Sequence, residues 1–165
     1  MPDELPDDEP PVGTTTEPGG DRLAESLARI GVLLGAERIE LYRHRPDGTT
    51  RLAGWWQSLG MRGGPSDRLA EPIDSAWFPW GLGHVRPERF VLVRTAAALR
   101  VTPANEEILG DDGICTCVHL PLRASVDEEP LGAVCGYWTV PPPDEPTGID
   151  AATQLGTDAL LDCPG

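Results

Sequence analysis

Apolar positions change their spacing several times along this chain, and each change marks an element. Leu23, Leu27, Ile30 and Leu34 recur every three or four residues, the single apolar stripe of an amphipathic helix. Asp21 stands where an N-cap is expected and Gly35 where the helix should stop. The period then drops to two: Ile39 and Leu41 alternate with Arg38 and Glu40 in RIELYRHR. Pro46-Asp47-Gly48 supplies a turn, and TTRLAGWWQ follows, so this region reads as a β-hairpin. Residues 58–72 are polar and glycine-rich and read as a long loop, a length that is often functional or mobile.

The second half repeats this logic. Ser75 is placed to cap a short helix carrying Trp77 and Trp80, with Pro79 in its first turn. RFVLVRT (89–95) reads as a buried strand. Thr102, Pro103 and the acids after them open a short helix in TPANEEILG, since proline and carboxylates both suit a helix N-terminus. GICTCVHLPLR (113–123) and LGAVCGYWTV (131–140) form strands joined by an acidic loop. After PPPDEP, residues 149–162 place Ile149, Ala152, Leu155, Ala159 and Leu160 along one side of a closing helix. Hairpin strands framed by helices predict an α+β fold with a central antiparallel sheet.

Composition sharpens this picture by exclusion. The 165 residues fit one domain. Acids outnumber bases 27 to 13, and every base is arginine. A formal charge of -14 opposes binding to phosphate backbones or anionic membranes, so neither nucleic acid nor membrane is an expected partner. Residues 1–20 hold six of the acids, five prolines and no base, and read as a disordered acidic tail before a domain spanning 21–162, with 163–165 as its end. The N-terminus lacks the basic and apolar regions of a secretory signal, and no apolar run approaches the roughly 20 residues of a membrane span. The expected location is the cytoplasm, with the four cysteines reduced.

The order of these segments resembles a GAF domain, the small-molecule sensor module of signalling proteins. The resemblance rests on LLGAERIELYR, PDGTTRLAGWW, FPWGLGH, the strand words Gly113, Ile114, Thr116, Pro121 and Leu122, and the Leu131-Gly132 pair. It implies a sheet of five or six antiparallel strands. The N- and C-terminal helices would lie on one face as a homodimer surface, with Leu23, Leu27, Ile30 and Leu34 as its candidates. Short helices and loops would cover a ligand pocket on the other face. Several ligand chemistries of such domains do not fit. The cyclic-nucleotide signature requires a lysine, which this chain lacks. Bilin attachment uses a cysteine commonly followed at once by histidine, whereas Val118 separates Cys117 from His119. The position of a haem-ligating histidine is taken by Asp111-Asp112. No cofactor is therefore expected, and the ligand is an unidentified small molecule.

The residues with chemical potential cluster in the two central strands. Cys115, Cys117 and His119 alternate in one strand, and Cys135 lies in the next. Residues i and i+4 of a strand stand about 13 Å apart, too far for one zinc ion with bonds of about 2.3 Å, so no metal site is expected. Buried thiols are the plain expectation; a Cys117–Cys135 bridge needs a register that sets them opposite each other. Trp55 and Trp56 point to opposite sheet faces, so one of them looks toward the pocket. With Trp77, Trp80, His84, Cys117, His119 and Cys135 they make the candidate pocket lining, although tryptophan also serves as ordinary core. Arg62, Arg68 and Arg86 could meet an anionic ligand. No nucleophile elbow, phosphate loop or zinc-protease motif is present. The expected function is a sensory or regulatory domain, not an enzyme, with output through a partner or parent protein. The alternatives are a dimerisation module without ligand and a thiol-based redox protein of the free methionine sulfoxide reductase type.

Overall fold

The computed structural model describes residues 20–75, 90–99, 103–110 and 112–163. Helix α1 (Gly20–Leu34) leads into β1 (Arg38–His44) and β2 (Thr49–Gln57), the hairpin expected around Pro46-Asp47-Gly48. Then come a short 3-10 helix (Asp67–Ala70), β3 (Ile73–Asp74), β4 (Val91–Val93), α2 (Ala96–Leu99), α3 (Pro103–Leu109), β5 (Thr116–Leu122), β6 (Gly132–Trp138) and α4 (Ile149–Asp162). The six strands form one sheet in the order β3-β2-β1-β6-β5-β4, with every neighbouring pair antiparallel. Among the described residues no helix is long and apolar enough to cross a membrane.

The termini of α1 correct one expectation and fulfil another. The helix begins at Gly20, so Asp21 sits inside its first turn rather than capping it. At the other end Gly35 has φ 64°, a left-handed geometry that a side chain resists. Gly35 N–H bonds the Val32 carbonyl and Ala36 N–H bonds the Gly31 carbonyl, the paired closure of a Schellman motif. The rest of the acidic 1–20 segment, residues 164–165 and the predicted helix with Trp77 and Trp80 lie outside the described residues. Three short elements escaped the sequence pattern, the 3-10 helix, β3 and α2, each too brief to show a period.

Helices α1 and α4 pack together on one face of the sheet. Leu27, Ile30 and Leu34 of α1 and Ala152, Ala159 and Leu160 of α4 meet Ile39, Leu41, Val118, Leu120, Leu122, Val134 and Trp138. This corrects the expected dimer face. Leu27, Ile30 and Leu34 are fully buried in their own core and Leu23 is half-buried against it, because the apolar stripe of a surface helix turns first to its own sheet. Trp56 joins them, its ring lying where Gly31 has no side chain. The opposite, distal face is covered by Met61 of the long loop, Leu69, Leu99 of α2, Ile108 and Leu109 of α3, and Ile114.

Candidate functional site

The period of two, combined with the register, decides what looks into the distal face. In one row across five strands stand Trp55, Glu40, Cys135, His119 and Val91. The next row holds Gln57, Arg38, Tyr137, Cys117 and Val93. A third has Leu52, Tyr42, Ala133 and Pro121. Arg38, Glu40, Tyr42, Cys117, His119, Cys135 and Tyr137 are all buried. The same three central strands present a nearly apolar surface to α1 and α4. Burying polar groups is unfavourable unless they satisfy one another, and here they do.

Arg38 is the one buried arginine among the described residues. Its Nη2 donates to Asp112 Oδ2 at 2.8 Å, its Nε donates to Gln57 Oε1 at 3.3 Å, and its Nη1 stands 4.0 Å from Glu40 Oε1. Gln57 in turn donates to the Gly63 carbonyl at 2.8 Å, so a single guanidinium ties β1 to the loops on both sides. The Tyr42 hydroxyl donates to Glu40 Oε2. At the end of β1, His44 Nδ1 meets Thr50 Oγ1 at 2.7 Å, and Thr50 meets Ser75 Oγ at 2.7 Å. Ser75 therefore has a partner in the sheet.

Burial dominates the electrostatics. It raises the Glu40 carboxyl to about 7 against the pull of the Tyr42 hydroxyl, with Cys135 pushing the same way and Arg38 opposing. Burial, then the Glu40 charge, pushes Tyr42 well above the ordinary phenol range. Burial, then His119, lowers His44 to about 4. The Glu40 value has a consequence for stability. Folded Glu40 keeps its proton to about pH 7, whereas the unfolded carboxyl loses it near 4.5. The stability so gained is complete below the unfolded value and disappears as pH rises through the folded one. Relative to Glu40→Gln, the wild type should lose about 3 kcal/mol between about pH 4 and about pH 8. Urea denaturation of both proteins at the two pH values measures it; a constant difference would show that Glu40 titrates as an ordinary acid.

The thiols are free. Cys117 and Cys135 are buried, and Cys115 and Cys163 are half-buried. The register sets Cys135 opposite His119 and Cys117 opposite Tyr137, so the two strand cysteines are diagonal neighbours and the condition for a directly opposed bridge is not met. Cys135 Sγ lies 3.5 Å from His119 Nδ1, and the Cys117 thiol donates to the Val118 carbonyl at 3.5 Å. Burial disfavours a Cys135 thiolate, but the nearby Cys117 thiol and then the His119 charge outweigh it and lower this thiol below its ordinary range. Burial, then the nearby Cys135 thiol, raises Cys117. No group of three or more metal-ligand side chains among the described residues could hold an ion.

Of the lining candidates, Trp55, Cys117, His119 and Cys135 lie on the distal face, with Trp55 in contact range of Gly64. Trp56 does not: alternation sends its ring to α1. Trp77, Trp80, His84 and Arg86 lie outside the described residues. Arg62 is exposed, and Arg68 pairs with Glu107 at 3.6 Å. Arg38, Glu40, Tyr42, Tyr137 and Asp112 were not singled out by sequence. The alternation of RIELYRH does put Arg38, Glu40 and Tyr42 on one face, but a polar strand face usually means solvent.

Solved structures share this fold. The GAF domain/HD domain protein from Geobacter sulfurreducens superposes with a TM-score of 0.62 at 15% identity, over 87% of this chain and 90% of that one. The blue-light absorbing form of the Thermosynechococcus elongatus PixJ GAF-domain gives 0.62 at 14%, over 86% and 84%. The fold is that of a GAF domain. A domain of a two-component sensor histidine kinase protein from Sinorhizobium meliloti matches the same GAF architecture at 0.55 and 16%, over 86% and 88%. No protein-family model and no curated protein matches the sequence. At such identities the GAF likeness carries the fold, and the chemistry rests on the residues of the distal face.

Proposed function

We propose that this GAF domain is a cytoplasmic sensory or regulatory module that binds a small molecule on the distal face of its sheet and signals through a partner or parent protein. One observation carries this reading. The distal face of the three central strands is built from Arg38, Glu40, Tyr42, Cys117, His119, Cys135 and Tyr137, while the face toward α1 and α4 is apolar. A sheet filled only for stability has no need of a carboxyl, a guanidinium and an imidazole in its middle. Glu40, Tyr42 and Tyr137 are buried beneath Met61, Leu69, Leu99 and Ile108, so a ligand would meet the Glu40 carboxyl and the two rings by displacing part of that cover. The light-absorbing neighbour's chemistry is not carried over, since Cys117 and His119 are separated by Val118 within β5. Homodimer formation would use the outer surfaces of α1 and α4, where Val32 and Leu161 are exposed.

Native mass spectrometry of the purified chain, paired with thermal unfolding against a panel of nucleobases, amines, amino acids and nucleotides, tests the reading. At least one compound should raise Tm with increasing concentration, and Glu40→Gln should abolish the shift. The same spectra should show the dimer. A chain that carries no small molecule and responds to none of the panel would favour the ligand-free interaction module.

A further inference from the structure

We propose that the cleft between the start of α1 and the end of α4 is a docking surface for a basic, amphipathic helical segment of a partner protein. The cleft lies on the helical layer, away from the distal face, and its role stands whether or not a small molecule binds there.

Helices α1 and α4 pack with opposite directions. Leu33 near the end of α1 lies against Gly148, just before α4, while Asp21 and Leu23 share a cleft with Ala159 and Asp162. The cleft has a volume of about 530 Å³, within the range that admits a ligand or a large anchoring side chain. Its floor is apolar: Leu23 and Leu155 are half-buried and Ala159 is buried. Its rim is acidic, with Asp21, Asp158 and Asp162 all exposed, and Arg22 is the one base among the described lining residues.

Folding does not ask for all of this charge. Asp21 suits the first turn of α1, but carboxylates late in a helix face the negative end of its dipole. Asp158 and Asp162 fall in the last five residues of α4, a helix that contains no base. Asp158 accepts a hydrogen bond from Gln154 of its own helix at 2.8 Å. Arg43 reaches from β1 to the Leu160 and Cys163 carbonyls and so closes the helix end from beneath, which leaves both carboxylates to solvent.

Charge then selects the occupant. The 19 residues before Gly20 hold six acids and no base, and they join the chain beside Asp21 and Arg22. They bring like charge to the cleft, so they extend its negative field and do not complement it. A second copy carries the same formal charge of -14, which opposes setting one acidic rim against another. A partner segment rich in Arg or Lys is the complement. Charge alone gives little hold, because each exposed ion pair is worth about fivefold in affinity or less. A free organic cation therefore binds weakly at this rim. One aliphatic side chain seated on Leu23, Leu155 and Ala159 adds about ten- to a hundredfold. An amphipathic helix supplies both, with leucines along one face and bases beside them.

The test adds a fluorescein-labelled peptide of about 15 residues to the full chain, with leucine at every third or fourth position and arginine and alanine elsewhere. Anisotropy should show saturable binding that weakens several-fold between about 0.05 M and about 0.3 M salt. The same peptide with alanine in place of leucine keeps its charge and should bind about tenfold more weakly. Ser26 lines the cleft half-buried, so Ser26→Trp should fill it and weaken the leucine peptide by about tenfold at unchanged Tm. Asp158→Asn combined with Asp162→Asn, both at exposed positions, should weaken binding several-fold and flatten the salt dependence. Bound peptide should also slow alkylation of Cys163, which lines the cleft, and leave that of Cys115 unchanged. Equal affinity for the leucine and alanine peptides, or equally tight binding of spermine, would reduce the cleft to a field that attracts any cation and overturn the proposal. A peptide that leaves Cys163 open to alkylation would overturn it too. Loss of the dimer in Ser26→Trp would give the cleft to a second copy instead.

Discussion

Gly132→Ala should cost about 4 kcal/mol or more, enough to leave a domain of ordinary stability largely unfolded. Gly132 opens β6 between Arg43 of β1 and Leu122 of β5. A methyl group there would collide with the Tyr42 carbonyl oxygen and lie 2.7 Å from Leu160 Cδ1. The first obstacle is backbone in the middle of the sheet, so relief requires β1 and β6 to separate where they share their hydrogen bonds. Gly60→Ala is the matched control, since nothing lies within 4 Å of its would-be side chain. Urea denaturation should show the control within about 0.5 kcal/mol of wild type. A Gly132→Ala protein that unfolds at the wild-type midpoint would mean that β1 and β6 are spaced differently from this structure.

The second large effect belongs to Arg38. Truncation to alanine removes the partner of Asp112, the donor to Gln57 and the cation nearest Glu40 in one step. Breaking a buried ion pair from one side typically costs about 3–5 kcal/mol, because a charge is left behind without compensation. The Asp112 side chain keeps 24% of its exposure, which places this pair toward the lower end. Adding Asp112→Asn should recover part of the loss, giving a coupling of about 1 kcal/mol or more in a double-mutant cycle. Loss of Arg38 also removes an influence that holds Glu40 down, so the pH at which Glu40 ionises should move upward. Equal losses for the single and double variants with no change in that pH would reduce Arg38 to a packing residue.

The elements were legible where the period was long and clean. The stripe of α1, the hairpin around Pro46-Asp47-Gly48, the two central strands and α4 all appear where the residues indicate. What could not be read was direction. Leu27, Ile30 and Leu34 made a convincing apolar face, but a stripe says only that something covers it, and here the cover is the protein's own sheet. Trp55 and Trp56 had to diverge, yet which one met α1 was decided by the gap at Gly31, a contact with a residue far away in sequence. Arg38, Glu40 and Tyr42 alternate as plainly as any solvent-facing set; only the loops, α2 and α3 turn that face into an interior. The cysteines were visible as a cluster, while their diagonal relation depended on register, which alternation alone leaves open.

The sheet is thus built from two unlike halves, and they should drift differently under selection. The side toward α1 and α4 is held by shape and volume, so its residues can trade among Ile, Leu and Val with modest cost. On the distal side each group is tolerable because a particular neighbour is there, so changes must come in concert or be lost. Replacing that whole set by apolar residues of similar size should give a domain at least as stable, as it often does for other buried ionic clusters. A lineage free to take that route gains robustness and forfeits responsiveness. Retaining Arg38, Glu40, His119 and Cys135 in the interior keeps the domain less secure than it could be, and open to influence from outside itself.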